Sequence, residues 1–413
     1  MSTWLTGTLE KSLEILRKYP LCDHCLGRLF ARLGFGLSNE ERGRAIKDYI
    51  HMAIHQHILN EGLTQVDIEN LRTLALSGHE PSIKLLKALG VQVDAKPCYV
   101  CGGLFRNMDT WVDRIVNALK SLDADYKTFR VGTRVPSEIL RRELGITSEF
   151  NITTAESIKR ELNRELGKRV MEAVGKGFSR ERPDVEVLLD ISTGDVKVTL
   201  EPIYILARYR KTTRTRLDTN AITNGLRELF KADDTELHFG IRDSAGVRVL
   251  GEGKPLAIRV VNPRRRPNPE DVVKAVNNQG VSITKPLVIG RSELSRFKSE
   301  VRNSAVVYRA LALTRDPLNQ DAINSLINYF RNRQVNQFIR VGRRVKRRVS
   351  MVYEINVRLI TPNTLELLIR CQANLNVRGL IHGYWGSVEP SISGFLGTET
   401  KPLEIDLIHH EYP

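Results

Sequence analysis

The sequence predicts an α+β protein of two or three domains, and three observations carry that expectation. Its 413 residues exceed what a single core comfortably organises. A helical first region precedes regions that combine helices with strands, and the strands of the last read as a mixed, mostly antiparallel sheet. Hydrophobic residues make up 41% and charged residues 27%, an ordinary globular balance with ample material for a buried core. Lys+Arg 63 against Asp+Glu 48 gives a net charge of +15, which points to a polyanionic partner. Nucleic acid is the first candidate and an acidic membrane surface the second. No run of about 18 apolar residues is present, so no transmembrane helix is expected. The opening MSTWLTGTLEKSLEILRKYP scatters its charges and lacks a signal-peptide apolar core. A cytoplasmic protein is expected.

The first region, 1–107, reads as helical. Leu5, Leu9, Leu13, Ile15 and Leu16 give residues 4–19 a broad apolar face. Ser38-Asn39-Glu40-Glu41 opens a helix over 41–56 with a cap-like start, and helical patterns follow at 65–76 and 81–90. The second region, 108–206, reads as a compact α+β module. It has an amphipathic helix at 111–122, a strand at 128–132 and a basic-faced helix at 157–174. Strands at 183–189 and 196–200 flank the turn Ser192-Thr193-Gly194-Asp195.

The third region, 207–413, alternates helices and strands. Helices are expected at 220–230, 270–277, 292–303, 320–332 and 376–382. Strands are expected at 236–239, 256–261, 282–290, 306–311, 352–359 and 365–372. This describes a mixed, mostly antiparallel sheet with helices packed on it, ending in a glycine- and proline-rich tail. Two basic clusters stand out. Arg208–Arg216 (RYRKTTRTR) reads as a linker from the α+β module to the third region, whose tyrosine could stack on a base while Arg208, Arg210 and Lys211 meet phosphates; a plain solvated linker is the other reading. Arg340–Arg348 contains Arg343, Arg344, Arg347 and Arg348 and is the densest cluster of all.

Four of the five cysteines fall in two CxxC pairs, Cys22/Cys25 and Cys98/Cys101. Each pair makes a knuckle whose thiolates point the same way, and four thiolates complete a tetrahedron with no position left for water. A structural zinc ion is expected; two unrelated pairs of thiols are the alternative. His24, inside the first pair, is not expected to be a ligand. Cys371 sits in the apolar run LELLIRCQA and reads as a core thiol.

The stretch HFGIRDSAGVRVLGEGKP (238–255) sets Arg242 beside Asp243 ahead of a strand and a glycine turn. A loop carboxylate next to an arginine suits catalysis. A surface ion pair in a connecting loop is the competing reading.

Taken together, several motifs resemble one family. They are Cys22-x-x-Cys25-Leu26-Gly27-Arg28, the second CxxC, the α+β module, Arg208-Tyr209-Arg210-Lys211, and Val247-Arg248-Val249-Leu250-Gly251-Glu252-Gly253-Lys254-Pro255. Val307-Tyr308-Arg309-Ala310 and Gly383-x-x-Gly386-x-x-x-Pro390-Ser391 complete the set. The chain resembles, over nearly its whole length, the archaeal and eukaryotic tRNA pseudouridine synthase family that acts on the T-arm. The resemblance implies a zinc-bearing N-terminal region, a THUMP-like RNA-binding module and a C-terminal pseudouridine synthase domain. It implies tRNA as partner and no organic cofactor. An aspartate would be the nucleophile or base, an aromatic side chain would stack on the uracil, and basic groups would hold carboxylate and phosphates.

Residue by residue, the resemblance places Tyr308 on the stacking tyrosine, with Arg309 beside it, and Arg242 on the arginine of the family's Gly-Arg-Glu-Asp. An ungapped alignment sets Asp243 on the glutamate and Ser244 on the catalytic aspartate, and a one-residue bulge would bring Asp243 into the site. Asn376, Arg378 and Gly379 stand at the family's tyrosine, lysine and glutamate. Tyr384 and Ser387 stand at its aspartate and arginine. The family's Gln-Arg-Thr-Pro segment is only loosely echoed at Gln337–Arg340. The expected catalytic groups are Asp243 with Arg242, and Tyr308, Arg309 and Arg378 are expected to bind the substrate. Active enzyme and catalytically weakened tRNA-binding relative both follow from this pattern.

Overall fold

A computed structural model describes residues 4–241, 245–276, 280–341 and 344–412. The chain divides into two compact units, Met1–Leu122 with Tyr126–Thr199, and Asp123–Asp125 with Leu200–Pro413.

The first unit begins with α1 (Trp4–Lys18), α2 (Asp23–Leu29), α3 (Asn39–Glu61), α4 (Gln65–Leu76) and α5 (Glu80–Ala88). It continues through α6 (Met108–Lys120), β1 (Thr128–Arg134), α7 (Ser137–Glu149), α8 (Ile158–Val174), β2 (Gly177–Phe178), β3 (Val185–Asp190) and β4 (Val196–Leu200). The start of α3 is a reciprocal capping box: Glu41 N donates to Ser38 Oγ at 3.2 Å and Ser38 N to Glu41 Oε2 at 2.7 Å. Helices α2 and α3 cross backbone to backbone. A Cβ on Gly27 would fall inside the carbonyl of Asn39, and one on Gly43 inside that of Asp23, so the crossing requires glycine at both. The sheet order is β2-β1-β3-β4, with β1 parallel to both neighbours. Phe129 and Val131 of β1 and Val185, Val187 and Leu189 of β3 alternate into the core. There they meet Ile158, Leu162, Leu166 and Val170, the four-residue stripe of α8. The helix α7 has no counterpart in the sequence reading.

The second unit runs β5 (Ile203–Lys211), α9 (Thr219–Phe230), β6 (Asp234–Phe239), β7 (Val247–Val261), α10 (Pro269–Val276), β8 (Val281–Ile289), α11 (Arg291–Asn303) and β9 (Ala305–Thr314). It ends with α12 (Gln320–Phe330), β10 (Arg333–Val341), β11 (Arg344–Thr361), β12 (Thr364–Gln372), α13 (Val377–His382), β13 (Val388–Glu389), α14 (Ile392–Leu396) and β14 (Thr400–Glu411). Its ten strands form one sheet in the order β13-β10-β11-β12-β9-β14-β7-β5-β8, with β6 also on β7. Among the described residues β14 runs parallel to β7 and the other pairings are antiparallel. The mixed, mostly antiparallel sheet expected from the sequence is present.

Two expectations are corrected. Within the stretch read as a basic linker, Arg208–Lys211 is the end of the strand β5, in which Ile203, Ile205, Ala207 and Tyr209 are buried alternate positions, Lys211 continues their phase, and Arg208 and Arg210 fall between them. The stretch read as a glycine- and proline-rich tail contains β14, which lies between β9 and β7 in mid-sheet. Helices cover one face in two groups. α9 and α10 lie toward β6–β8, while α12 packs on β11 with α14 beside it and α13 reaches β14 in mid-sheet. On the reverse face Phe297 and Val301 of α11 pack on Ala257.

Candidate functional site

The metal-binding candidate lies in the first unit. Cys22 precedes α2 and Cys25 lies within it, while Cys98 and Cys101 form a turn closed by Gly102 N donating to Cys98 O at 2.8 Å. Tyr99 N donates to Pro20 O at 2.8 Å and joins the two knuckles. All four Sγ atoms lie within 4.8 Å of one another, and Cys22 Sγ is 3.6 Å from Cys101 Sγ. A zinc–sulfur bond of about 2.3 Å implies tetrahedral edges of about 3.8 Å, so the donor set fits such an ion. Hydrogen bonds among the thiols, Cys101 first, hold Cys98 well below the ordinary thiol range, and one from Cys22 holds Cys101 down. The bond with Cys101 pushes Cys22 up, and burial pushes Cys25 up.

The residues between and after the first two cysteines each bind another part of the unit. Asp23 meets Lys47 Nζ at 2.7 Å, and Arg28 pairs with Glu143 and reaches Cys25 Sγ at 3.7 Å. His24 gives Nδ1 to Glu161 Oε1 at 2.8 Å and stacks on Phe105, with ring centroids 4.2 Å apart. Its ring is thus engaged away from the cluster, in keeping with the non-ligand reading.

The catalytic candidate is less complete, because Arg242, Asp243 and Ser244 lie outside the described residues, as does Arg343. The described residues around them are well placed. Paired positions run across the sheet from Ile369 on β12 through Tyr308 on β9, Leu407 on β14 and Val249 on β7 to Lys211 on β5. Paired residues share a face, so Tyr308 is on the helix-bearing face, partly buried against the core. Its strand β9 neighbours β14, against which α13 packs. Arg378, on the first turn of α13, sets Nη2 2.5 Å from where a Cβ on Gly246 would be. Gly246 has φ +79°, a conformation that favours glycine, and a side chain there would also displace Arg378.

A brace absent from the sequence reading holds Gly246. Its N–H donates to Arg214 O at 2.8 Å, and its carbonyl accepts from Arg214 Nη1 at 3.1 Å. Arg214 also bonds Ile405 O at 3.0 Å and Asp406 Oδ1 at 2.9 Å. Asp406 is 2% exposed and takes a bidentate pair from Arg248 at 2.8 and 2.6 Å. The hydrogen bond from Arg248 is the main reason the Asp406 carboxyl is held below the usual carboxylate range. A second support is Gln337, whose Oε1 accepts from Asn376 N at 2.8 Å and fixes the head of α13. No local pattern marks Asp406, whose strand pairs only with distant partners.

Other expected residues fall differently. Arg309 binds Glu366 at 2.7 Å and, one residue along β9, faces away from Tyr308 by strand alternation. It is not brought together with the tyrosine. Arg208 is 8% exposed and donates to Gly253 O at 3.1 Å and to Tyr412 O. Lys211 is fully buried, with Nζ 2.8 Å from Thr215 O. Both cations are spent inside the sheet and are removed from the expected phosphate contacts, whereas Arg210 is exposed. Arg344, Arg347 and Arg348 are exposed on the hairpin β10–β11, a two-stranded basic ribbon with Gln337 opposite Arg348 and Phe338 opposite Arg347.

The departed positions have structural uses. Asn376 caps α13 through Gly379 N at 3.1 Å. A Cβ at Gly379 would meet Val388 Cγ2 at 2.8 Å, so the α13–β13 contact leaves no room there. Tyr384 stacks on His382 with centroids 3.9 Å apart, and Ser387 O accepts from Phe338 N at 2.9 Å.

Among the described residues no helix is long and apolar enough to cross a membrane. Two family models match the chain, the archaeal Pus10 THUMP domain over residues 111–190 and the Pus10 C-terminal domain over 204–411. The chain is 50% identical over 408 residues to the tRNA pseudouridine synthase Pus10 of Vulcanisaeta distributa, covering 97% of this chain and 99% of the relative. It is 36% identical to the tRNA pseudouridine synthase Pus10 of Caldivirga maquilingensis, covering 97% and 98%. A crystal structure of a Cbf5-Nop10-Gar1 complex aligns over 50% of this chain and 48% of that one, at 14% identity and TM-score 0.32. With its THUMP and C-terminal domains both matched, and relatives aligned nearly end to end, the chain belongs to the Pus10 tRNA pseudouridine synthase family.

Proposed function

We propose that this chain isomerises uridine to pseudouridine in the T-arm of tRNA, with Asp243 as the reacting carboxylate. The observation that carries the reading is the placement of Tyr308 in mid-sheet, together with Arg378 set against Gly246 just ahead of β7. The reaction conserves atoms. The bond from C1′ to N1 breaks, a bond from C1′ to C5 forms, C5 loses a proton and N1 gains one. Neither an oxidant nor a co-substrate is needed. Tyr308 stacks on the extruded uracil, whose unstacking costs a few kcal/mol. Arg378 and Arg242 orient the carboxylate. The exposed cations Arg210, Arg344, Arg347 and Arg348, with Arg343, meet the RNA backbone.

Cys22, Cys25, Cys98 and Cys101 hold a structural zinc ion that ties the knuckles together. The protein works in the cytoplasm, where such thiols stay reduced. A catalytically weakened tRNA-binding relative is the second reading. It is favoured by the reuse of Asn376 as a helix cap and by the absence of space beside Gly379. Unmodified tRNA carrying tritium at C5 of uridine decides between them. The first reading expects tritium release by the parent chain and none by Asp243→Asn, and tight binding without release by either establishes the second.

A further inference from the structure

We propose that Phe35 is a stacking platform for an unpaired base of the RNA, set beside a cationic groove in the first compact unit. The proposal rests on the RNA-binding reading above and adds a contact point to it. Phe35 is a fully exposed large apolar side chain at the tip of the loop Leu33-Gly34-Phe35-Gly36-Leu37. Gly34 and Gly36 flank it with φ +64° and +90°, left-handed turns that push the ring outward.

The loop is held in place. Arg42, 7% exposed, donates through Nε to Leu33 O at 2.6 Å and through Nη2 to Leu37 O at 2.8 Å. Its Nη1 reaches Asn39 Oδ1 at 2.6 Å. One buried guanidinium thus clamps both ends of a five-residue loop whose central side chain buries nothing. An aromatic ring presented on a fixed loop loses little conformational freedom on binding.

What adjoins Phe35 identifies its partner. A groove of 610 Å³ runs from Arg32, Gly36 and Leu37 to Arg160 and Lys168 on α8. Arg164, within it, is occupied by Glu156 at 2.6 and 2.8 Å. Arg160 lies 3.9 Å from Glu156 and Lys168 3.8 Å from Glu165, with side chains 75% and 59% exposed, so both retain charge toward solvent. Arg32 is exposed as well. Phe35 stands next in the chain to Gly36 and Leu37, which line the groove, and cations that meet phosphates beside an exposed aromatic ring are the arrangement that binds single-stranded nucleic acid with little dependence on base identity. Leu33 and Leu37, each 44% exposed, extend the apolar surface of the loop, and a protein-docking role is therefore separated from base stacking by the Phe35→Leu variant below.

The test uses the full chain with Phe35→Ala, Phe35→Leu and Phe35→Trp. Each is assayed for thermal melting and for binding to unmodified tRNA and to a fully paired RNA duplex. Melting is expected to be unchanged, because the ring buries nothing. Stacking of one base leads us to expect that Phe35→Ala binds tRNA about tenfold more weakly. Phe35→Leu should be as weak, and Phe35→Trp should match the parent. Duplex affinity should be equal in all four proteins, because paired bases offer no free face. Equal tRNA affinity of Phe35→Ala and parent overturns the proposal. So does parent-like tRNA affinity of Phe35→Leu, which would mark an apolar contact, or an equal loss on the duplex. A parent chain that fails to bind tRNA overturns the RNA reading and this proposal together, whereas binding that ignores Phe35 overturns this proposal alone.

Discussion

Replacing Asp406 by asparagine tests the brace that holds Gly246. The carboxylate is 2% exposed and accepts from Arg248 at 2.8 and 2.6 Å and from Arg214 at 2.9 Å. Asparagine keeps the shape and removes the buried charge, leaving Glu404, 3.0 Å from Arg214 and 3.9 Å from Arg248, as the carboxylate beside the two guanidinium groups. Breaking a buried ion pair costs about 3–5 kcal/mol. The Arg248 and Arg214 side chains are 33% and 30% exposed, so water recovers part of that loss. We expect a cost of about 2–3 kcal/mol, which lowers the melting temperature of a unit of this size by about 5–10 °C.

The effect has a pH signature. Arg248 holds the folded Asp406 carboxyl below its ordinary value, so its stabilisation is complete above the unfolded value of about 3.9 and is lost as pH falls through the lower folded value. The gap between parent and variant should stay constant from about pH 7 to pH 5 and close below about pH 4. Amide exchange over residues 245–250 should quicken in the variant, because Arg214 loses its buried charged partner and keeps only Glu404 at 3.0 Å and the carbonyls of Ile405 and Gly246. Calorimetry across that pH range and exchange mass spectrometry measure both. A variant melting within about 1 °C of the parent at pH 7, or a gap that persists in acid, would refute the reasoning.

Cys98→Ser should lower bound metal in elemental analysis, because four-thiolate ligation leaves no substitute donor nearby, and unchanged metal content would count against the centre. Gly43→Ala should destabilise the first unit by about 3 kcal/mol in a melting experiment, since its Cβ would press on the Asp23 backbone. A normal melt would mean that α2 and α3 do not cross so closely. Replacing Arg344, Arg347 and Arg348 together by glutamine should reduce the salt dependence of tRNA binding by about 2–3 in log–log slope, with melting unchanged. An unaltered slope would place the phosphate contacts elsewhere.

The parts of the fold that were legible in the sequence are those with local signals. The CxxC spacing marks four thiols that the fold brings within 4.8 Å, and Ser38 with Glu41 marks the start of α3. What escaped depends on distant pairing. β14 is specified by its neighbours β9 and β7 rather than by its own composition, and the apolar positions of β5 are interleaved with arginines. The same cause explains the reassigned cations. A sequence shows that Arg208, Lys211 and Arg309 are basic, but burial and strand alternation decide that Arg208 and Lys211 turn inward and that Arg309 faces away from Tyr308. The brace of Arg214 and Asp406 joins residues 192 apart in sequence, a separation at which no motif is visible.

The central claim is that Asp243, rather than the residue aligned with the family's aspartate, carries the chemistry. Tritium release from C5-labelled tRNA tests it when parent, Asp243→Asn and Ser244→Ala are compared at equal tRNA occupancy. The expected result is release by the parent and by Ser244→Ala, with Asp243→Asn at background. Release by Asp243→Asn at the parental rate would contradict the account.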